Sequence, residues 1–557
     1  LPAQAGEFTF SLRGKRLNEQ ISRGYTLEVA ANSVRIPPQA LPTPAVDSAY
    51  RARLRALGGR PPYRWRAEEL PVGFSLSASG LLAAEQPTAR TEQRFRVVVS
   101  DALGREARGE LTLPGAVNAP VLQQASLPPL LVGRDYRLSL PFSGATAPYT
   151  CRPTGGLPQG LQLSSDCLLS GTPGQAGIFE IALTVADSAT LSRTDDISLS
   201  IQVHGQSGID NGVPFRLEPE PLLPVVPDSP EGASFSALAV DAFGARTAVG
   251  HGRFEADNDL QLVRYSPDGQ YLWREGLAVA GDDMALDAAA SPLDRSLWVV
   301  GHSGQGEQSR SLVAHFSAVG ELLGEILRPH PQRISALHAV AADQQGIYAV
   351  GVRQEDGQSR GTVLALAPDG SLRWERTAEG GASIGHAVAL LGCSNEGCTT
   401  VVAAGESGDG GWIQRLDAET GEVDSELAVS VPVPVRDLVR LNGGTLALAS
   451  GTADTPLLLL DEQLNPRCQA SPAPDTELTA IAADTGSYVY LAGQRNSSGR
   501  ALLWVYDNQC QRRMEVPLTL SSSRVAAATL GIDQRLSLVG ERDGGPLLVD
   551  LNSGRAF

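Results

Sequence analysis

An apolar strand ending on glycine recurs at a near-constant interval through the second half of the chain. The glycines are Gly250, Gly301, Gly351, Gly405, Gly451, Gly493 and Gly540, spaced 51, 50, 54, 46, 42 and 47 residues apart. Each interval holds the same order: apolar strand, turn, strand ending in glycine, polar loop, strand, turn, outer strand. ALAVDAFGARTAVGHG followed by LQLVRYSPDGQYLWREGL shows it first, and LHAVAADQQGIYAVGV followed by TVLALAPDGSLRWERT repeats it. A unit of this length made of short strands cannot bury its own faces. Repeated about an axis it makes a β-propeller, and seven units predict seven blades. The last unit, from Arg524, shows three clear strands before Phe557. A closed ring needs its final sheet completed, and VPFRLE (213–218) is placed to supply the missing outer strand.

The first half holds a different repeat. GGRPPYRWRAEELPVGFSLSASGLLAAEQPTARTEQRFRVVVSDALG (58–104) and GATAPYTCRPTGGLPQGLQLSSDCLLSGTPGQAGIFEIALTVADSAT (144–190) share Pro-Tyr, then Leu-Pro-x-Gly, then Leu-Leu, then an alternating strand ending in Asp. Alternation in RFRVVVSD and FEIALTVAD is the period-two signature of half-buried strands. These motifs resemble the putative-Ig, cadherin-like modules of bacterial surface proteins. The resemblance covers most of 42–116 and 126–203 and implies two β-sandwiches. The first copy has Glu85-Gln86-Pro87 where the family has a Gly-Thr-Pro turn; the second lacks the tryptophan. Superposing the copies sets Cys151 opposite Trp65 and Cys167 opposite Gly80. Where the first module fills its core with an indole, the second has the means to bridge two strands.

In the second half, the turns SPDG (266–269), APDG (367–370) and DAETG (417–421) fit tight hairpins. Followed by Trp273 and Trp374, they resemble pyrroloquinoline-quinone-type and related bacterial surface propellers. The chain shows no vicinal cysteine pair and no calcium-ligand cluster of the quinone enzymes, so the resemblance implies the fold and not the redox chemistry. The expected architecture is all-β: two Ig-like β-sandwich modules followed by a seven-bladed β-propeller. The expected boundaries are 1–116 for an N-terminal strand segment plus the first module, 117–205 for the second, 206–212 for a linker and 213–557 for the propeller.

Six cysteines fall into local pairs: Cys151 with Cys167, Cys393 with Cys398, and Cys468 with Cys510. Other connectivities are open to six thiols, but an even count in local pairs points to disulfides and an oxidising compartment. CSNEGC (393–398) lacks the second pair and the histidines of a zinc knuckle. No apolar run is long enough to cross a membrane as a helix. No signal peptide is visible and Leu1 is not a methionine, so the expectation is a mature chain, secreted, extracellular, cell-surface or periplasmic, after signal removal. With 45 basic against 62 acidic residues the net charge is −17, which argues against nucleic acid or anionic membrane as partner. All but one of the basic residues are arginine, and they are scattered.

Polar loops after each second strand of a propeller gather on one face. His251, His302, Arg353, Glu406, Arg495, Glu541 and Arg542 begin these loops and are the candidate binding residues. His251 and His302 hold equivalent places in neighbouring units, with Val352 where a third ligand would stand, so no metal is assigned. The other histidines are dispersed, and His315, inside an alternating strand, reads as structural. Asp101 and Asp187 end equivalent strands and are weak candidates for structural calcium, since each lacks the several oxygen ligands calcium takes. No other cofactor is expected. No Gly-x-Ser-x-Gly elbow, phosphate loop or HExxH motif occurs. Asp282 and Asp283 are adjacent, so a strand sends them to opposite faces. The expected function is non-enzymatic: a structural, adhesive or assembly subunit meeting a protein or cell-surface partner, with a glycan or a second copy as other partners. The alternative is a propeller lyase, hydrolase or quinone oxidoreductase, or a carbohydrate-binding protein, acting at the axis.

Overall fold

Alternating apolar residues bounded by Gly, Asp and Pro leave little choice but strands, and in a computed structural model every regular element with a defined range is a β-strand. The structure describes residues 34–204 and 233–552, apart from short stretches between and beside strands, and the backbone of Gly6–Arg16, Glu19–Val29 and Glu218–Pro219. The chain divides into two compact units, the first Leu1–Asn118 and the second beginning at Ala119.

In the first unit, Gly6–Arg16 and Glu19–Val29 pair antiparallel along their whole length. The first Ig-like module follows as two three-stranded sheets. They close over Trp65, Leu82, Phe95, Val97, Val99 and Leu111, all buried.

The second Ig-like module repeats the first bond for bond. Tyr63 donates its hydroxyl to the Gly58 carbonyl at 2.7 Å, and Tyr149 to that of Gly144 at 2.8 Å. Trp65 N–H donates to Ala78 at 2.8 Å and Cys151 N–H to Ser165 at 2.9 Å; Leu54 N–H meets Gly80 and Leu140 N–H meets Cys167, each at 2.9 Å. The Pro-Tyr motif therefore pins its own loop in both copies. Gly80 and Cys167 share a positive φ, 91° and 65°. A Cβ on Gly80 would lie 2.7 Å from the Trp65 ring, so the indole demands glycine there. In the second module the indole is gone, and the Cys151–Cys167 disulfide occupies that space inside the core.

The remaining strands form seven four-stranded sheets. Their innermost strands are Ser234–Val240, Asp283–Ala290, Ile334–Asp343, Ser383–Leu391, Val435–Arg440, Thr476–Ala483 and Ser523–Leu530. Consecutive innermost strands are neighbours, and the last neighbours the first, so the sheets close a ring. Six sheets are built from consecutive strands. The seventh takes its outer strand from Glu218–Pro219, which pairs antiparallel with Leu551 and Asn552. The expected closing strand is thus of the expected kind, at the end of VPFRLE, whose residues 213–217 lie outside those described. At the same seam Arg246, fully buried, donates Nε to Ser537 Oγ at 2.8 Å.

The repeated glycine has a steric cause. Each innermost strand carries a β-bulge near its start, where the register slips past Ser236, Leu286, His338, His386, Arg436, Thr479 and Ala526 in turn. The glycine sits opposite the residue before the bulge. A Cβ there would lie 2.0 Å from the Ser234 carbonyl oxygen at Gly250, 1.9 Å from that of Met284 at Gly301, and 1.9 Å from that of Ile384 at Gly405. No atom fits at such a distance. One member of the series needs correcting: in the fifth blade the residue opposite Val435 is Ser450, and Gly451 lies outside the described residues.

Two further contacts join blades, and two more brace hairpins within a blade. Trp374 donates its indole N–H to the Ala418 carbonyl of the next blade at 3.0 Å and packs on Gly421 of the DAETG turn. The APDG turn closes with Gly370 N–H on Ala367 at 2.8 Å, whereas 268–269 of SPDG lie outside the described residues. Cys468, in the outer strand of the fifth blade, is bonded to Cys510 of the sixth, and Cys393–Cys398 closes the hairpin between the first two strands of the fourth.

The first blade also holds the second Ig-like module. Phe243, at the hairpin tip after Ser234–Val240, is 5% exposed and belongs to that module's core. The Arg295 guanidinium lies over its ring at 4.4 Å. Asp241 fixes the tip by accepting from the Phe243 and Ala245 N–H groups at 2.9 and 3.0 Å, and it pairs with Arg264 and Arg295. Burial alone would raise this carboxyl, but the two guanidiniums and the two N–H groups hold it below the usual range. The expected linker residues 206–212 lie outside those described.

Candidate functional site

A bulge turns the next side chain out of the alternation that buries its neighbours. The residues before these seven bulged positions, from Phe235 to Val525, are buried, while the bulged residues retain exposure; the third innermost strand slips once more, past Ser335. Three consecutive blades place His338, His386 and Arg436 at this position. His338 shares a proton between Nδ1 and the Gly385 carbonyl at 2.7 Å, which leaves Nδ1 as the donor. Its ring stacks on His386, with centroids 5.3 Å apart and planes 17° from parallel. Arg436 donates Nη1 to His386 Nε2 at 3.2 Å and pairs through Nη2 with Glu406 Oε2 at 3.0 Å. Glu406 Oε1 lies 3.5 Å from the same His386 nitrogen. Burial pushes His386 down to about 4, with His338 and Arg436 adding to the shift and Glu406 opposing it. Burial lowers His338 as well, against the pull of the Gly385 carbonyl and Glu406.

The site continues into the first two blades. His251 and His302 follow the repeated glycine in their blades and lie within electrostatic reach of each other, with Glu541 and Asp282 also near His251. Burial lowers the His251 imidazole, and His302 adds to the shift while the two carboxylates oppose it. The buried Nδ1 atoms of both have no hydrogen-bond partner among the described residues.

The proposed loop residues thus separate by strand parity. His251, His302, Glu406 and Glu541 stand one residue past the glycine and face this end of the ring. Arg353 and Arg495 stand two past it, on the other face of their sheets. Arg353 is 8% exposed and reaches the outer strand of its own blade, with Nη1 3.3 Å from Glu375 and 3.2 Å from Thr377. Arg495 pairs at 3.0 Å with Glu515, the counterpart of Glu375 in the sixth blade. The side chain of Arg542, at the same parity, lies outside those described. His315 stacks on Trp298 at 3.8 Å and bonds Ser296 at 2.8 Å. The sequence set aside His338 and His386 as dispersed and passed over Arg436. Their spacings, 48 and 50 residues, equal the propeller repeat, which was the signal that joins them.

One residue beyond the bulge, Asp287 and Asp437 occupy equivalent places in the second and fifth blades. Asp287 accepts from its own neighbour Ala288 N–H and from Val340 N–H of the next blade, both at 2.8 Å. Asp437 does the same with Leu438 at 2.8 Å and Ile481 at 3.1 Å. Each carboxyl clamps the same N–H of two neighbouring innermost strands. Burial pushes Asp287 up to about 7, aided by the charge of Asp437, and Asp437 up to about 6.

Asp282 and Asp283 serve different backbone groups, Asn258 at 2.9 Å and Val279 at 2.6 Å. Asp101 accepts from Leu103 and Arg105 N–H and from the Arg105 guanidinium, and Asp187 from Thr146 N–H. Both aspartates are buried in their own loops. Among the described residues no three His, Cys, Asp or Glu side chains are gathered as metal ligands would be, and no helix is long and apolar enough to cross a membrane.

Residues 119–202 match the family model described as "Putative Ig domain". The second module is Ig-like. No curated protein matches the chain in sequence. Among solved structures, similarity is found to the Dos1 propeller, at 11% identity and a TM-score of 0.43 over 62% of this chain and 98% of that one. Sqt1 from Chaetomium thermophilum is similar at 12% and 0.38 over 57% and 96%. A quinonprotein alcohol dehydrogenase-like protein from Bacteroides thetaiotaomicron is similar at 10% and 0.34 over 71% and 94%.

Proposed function

We propose that this chain is a non-enzymatic secreted or surface-exposed binding protein, an assembly or adhesion subunit that meets a protein partner at the bulged end of its propeller. The observation that supports this is the gathering of His338, His386, Arg436 and Glu406 from three neighbouring blades at one end of the ring. The opposite end, where the hairpin tips lie, is the one engaged by the second Ig-like module through Phe243. The three disulfides fit an oxidising, extracytoplasmic setting. Burial holds His386 at about 4 and lowers His338, and Arg436 is already matched by Glu406, which suits a neutral hydrogen-bonding surface better than acid–base turnover.

The test is mass spectrometry of the complex isolated gently from its native source, with wild-type chain, Arg436→Glu, and the rim control Leu372→Ser. A stoichiometric protein companion present with wild type and the control but lost with Arg436→Glu is expected. A lone monomer, or a companion retained by Arg436→Glu, refutes the assignment.

A further inference from the structure

The His338–His386 stack is held in a geometry that only a neutral His386 satisfies. Its Nε2 accepts from Arg436 Nη1, so the ring proton sits on Nδ1. Glu406 Oε1, 3.5 Å from Nε2, is then an acceptor facing an acceptor, and the carboxylate is held instead through Oε2 by Arg436. A proton on Nε2 reverses both relations: N–H faces N–H at Arg436, and N–H faces a carboxylate at Glu406.

We propose that His386 is an acid-operated latch between the fourth and fifth blades: taking a proton from solvent at Nε2, it gives up the Arg436 Nη1 donor, takes Glu406 Oε1 as its acceptor, and leaves the guanidinium held at the mouth of the ring by Glu406 Oε2 alone. Among the described residues, the charged and titratable groups that bear on the latch are few. They are His338 on the third innermost strand, His302 on the second blade acting on His338, Glu406 on the fourth blade, and Arg436 on the fifth. One carboxylate faces a guanidinium and two rings, so the first proton leaves the cluster with an excess of positive charge. The device belongs to the chain alone and requires no partner, so its failure and that of the binding assignment are distinct.

The experiment is a titration of the full chain with ¹³C-labelled histidine, read by NMR; seven histidines make assignment by substitution practical. His386 is expected to titrate near pH 4. Arg436→Met should raise that value by about one unit, Arg436→Lys should leave it low because the charge remains, and Glu406→Gln should lower it further. A His386 that titrates near the free value of about 6.5, or one that ignores both Arg436→Met and Glu406→Gln in a folded chain, overturns the proposal.

Discussion

Replacing Gly405 by alanine tests the steric origin of the propeller repeat. The new Cβ would stand 1.9 Å from the Ile384 carbonyl oxygen and 2.9 Å from Gly385 Cα. An ordinary contact of this kind is roughly 3.4 Å, so two paired backbones must part by about 1.5 Å. Overpacking in a close-packed interior costs roughly 1–3 kcal/mol, and with backbone on both sides of the clash the upper figure applies. About 3 kcal/mol corresponds to a fall of about 5 °C in Tm for a domain of this size. Thermal and urea unfolding measure it. Gly324→Ala supplies the control, because a Cβ there meets nothing within 4 Å. Its midpoint should stay within about 0.5 kcal/mol of wild type. Ser450→Gly, at the one described blade without the glycine, should change stability by no more than about 1 kcal/mol. If Gly405→Ala melts with Gly324→Ala, the close approach does not explain the repeat.

Three further outcomes are expected. Phe243→Ala should cost about 3–5 kcal/mol and split one unfolding transition into two as the second Ig-like module loses its anchor; a single unshifted transition in calorimetry contradicts the docking. Asp287 and Asp437 have carboxyl pKa values raised on folding, so between about pH 4 and 7 the folded chain keeps protons that the unfolded chain has released. Their contribution is therefore greatest below about pH 4 and is lost as pH rises through about 6 and about 7, at about 1.4 kcal/mol per pH unit for each retained proton. Urea titrations across that range should show the decline in wild type and a flatter profile in Asp287→Asn/Asp437→Asn. Cys151→Ser/Cys167→Ser should lower stability by about 3 kcal/mol for a loop of roughly this length, whereas Cys151→Trp/Cys167→Gly, which installs the first module's pair, should recover part of the loss in the same denaturation assay.

The repeats made the architecture readable before any coordinates. A period near 50 carries the four-stranded unit, and Leu-Pro-x-Gly with Pro-Tyr carries the two sandwiches, because both motifs answer to backbone constraints that act within a few residues. The pairing of Trp65 with Gly80 and of Cys151 with Cys167 was legible because two copies solve one packing problem differently. The site was only partly legible. Composition of the polar loops pointed to the end of the ring where His338, His386 and Arg436 gather, yet loop polarity cannot tell Glu406 from Arg353. The sheet's two-residue alternation separates them. His338, His386 and Arg436 were hidden for another reason: a bulge shifts the alternation by one, so residues that sequence assigns to an apolar strand emerge beside one another.

The pairing of Glu218–Pro219 with Leu551 and Asn552 sets an order of events. The two ends of that sheet are separated by more than three hundred residues of intervening chain. No ring can exist until the final strand has left the ribosome and, for an exported chain, crossed the membrane. Six blades must wait with an open seam, their apolar edges uncovered, and closure of so distant a contact is slow. Ring closure is thereby committed to follow synthesis of the whole propeller, and a chain that stops short of residue 551 would present its last sheet as an adhesive edge to whatever strand it meets next.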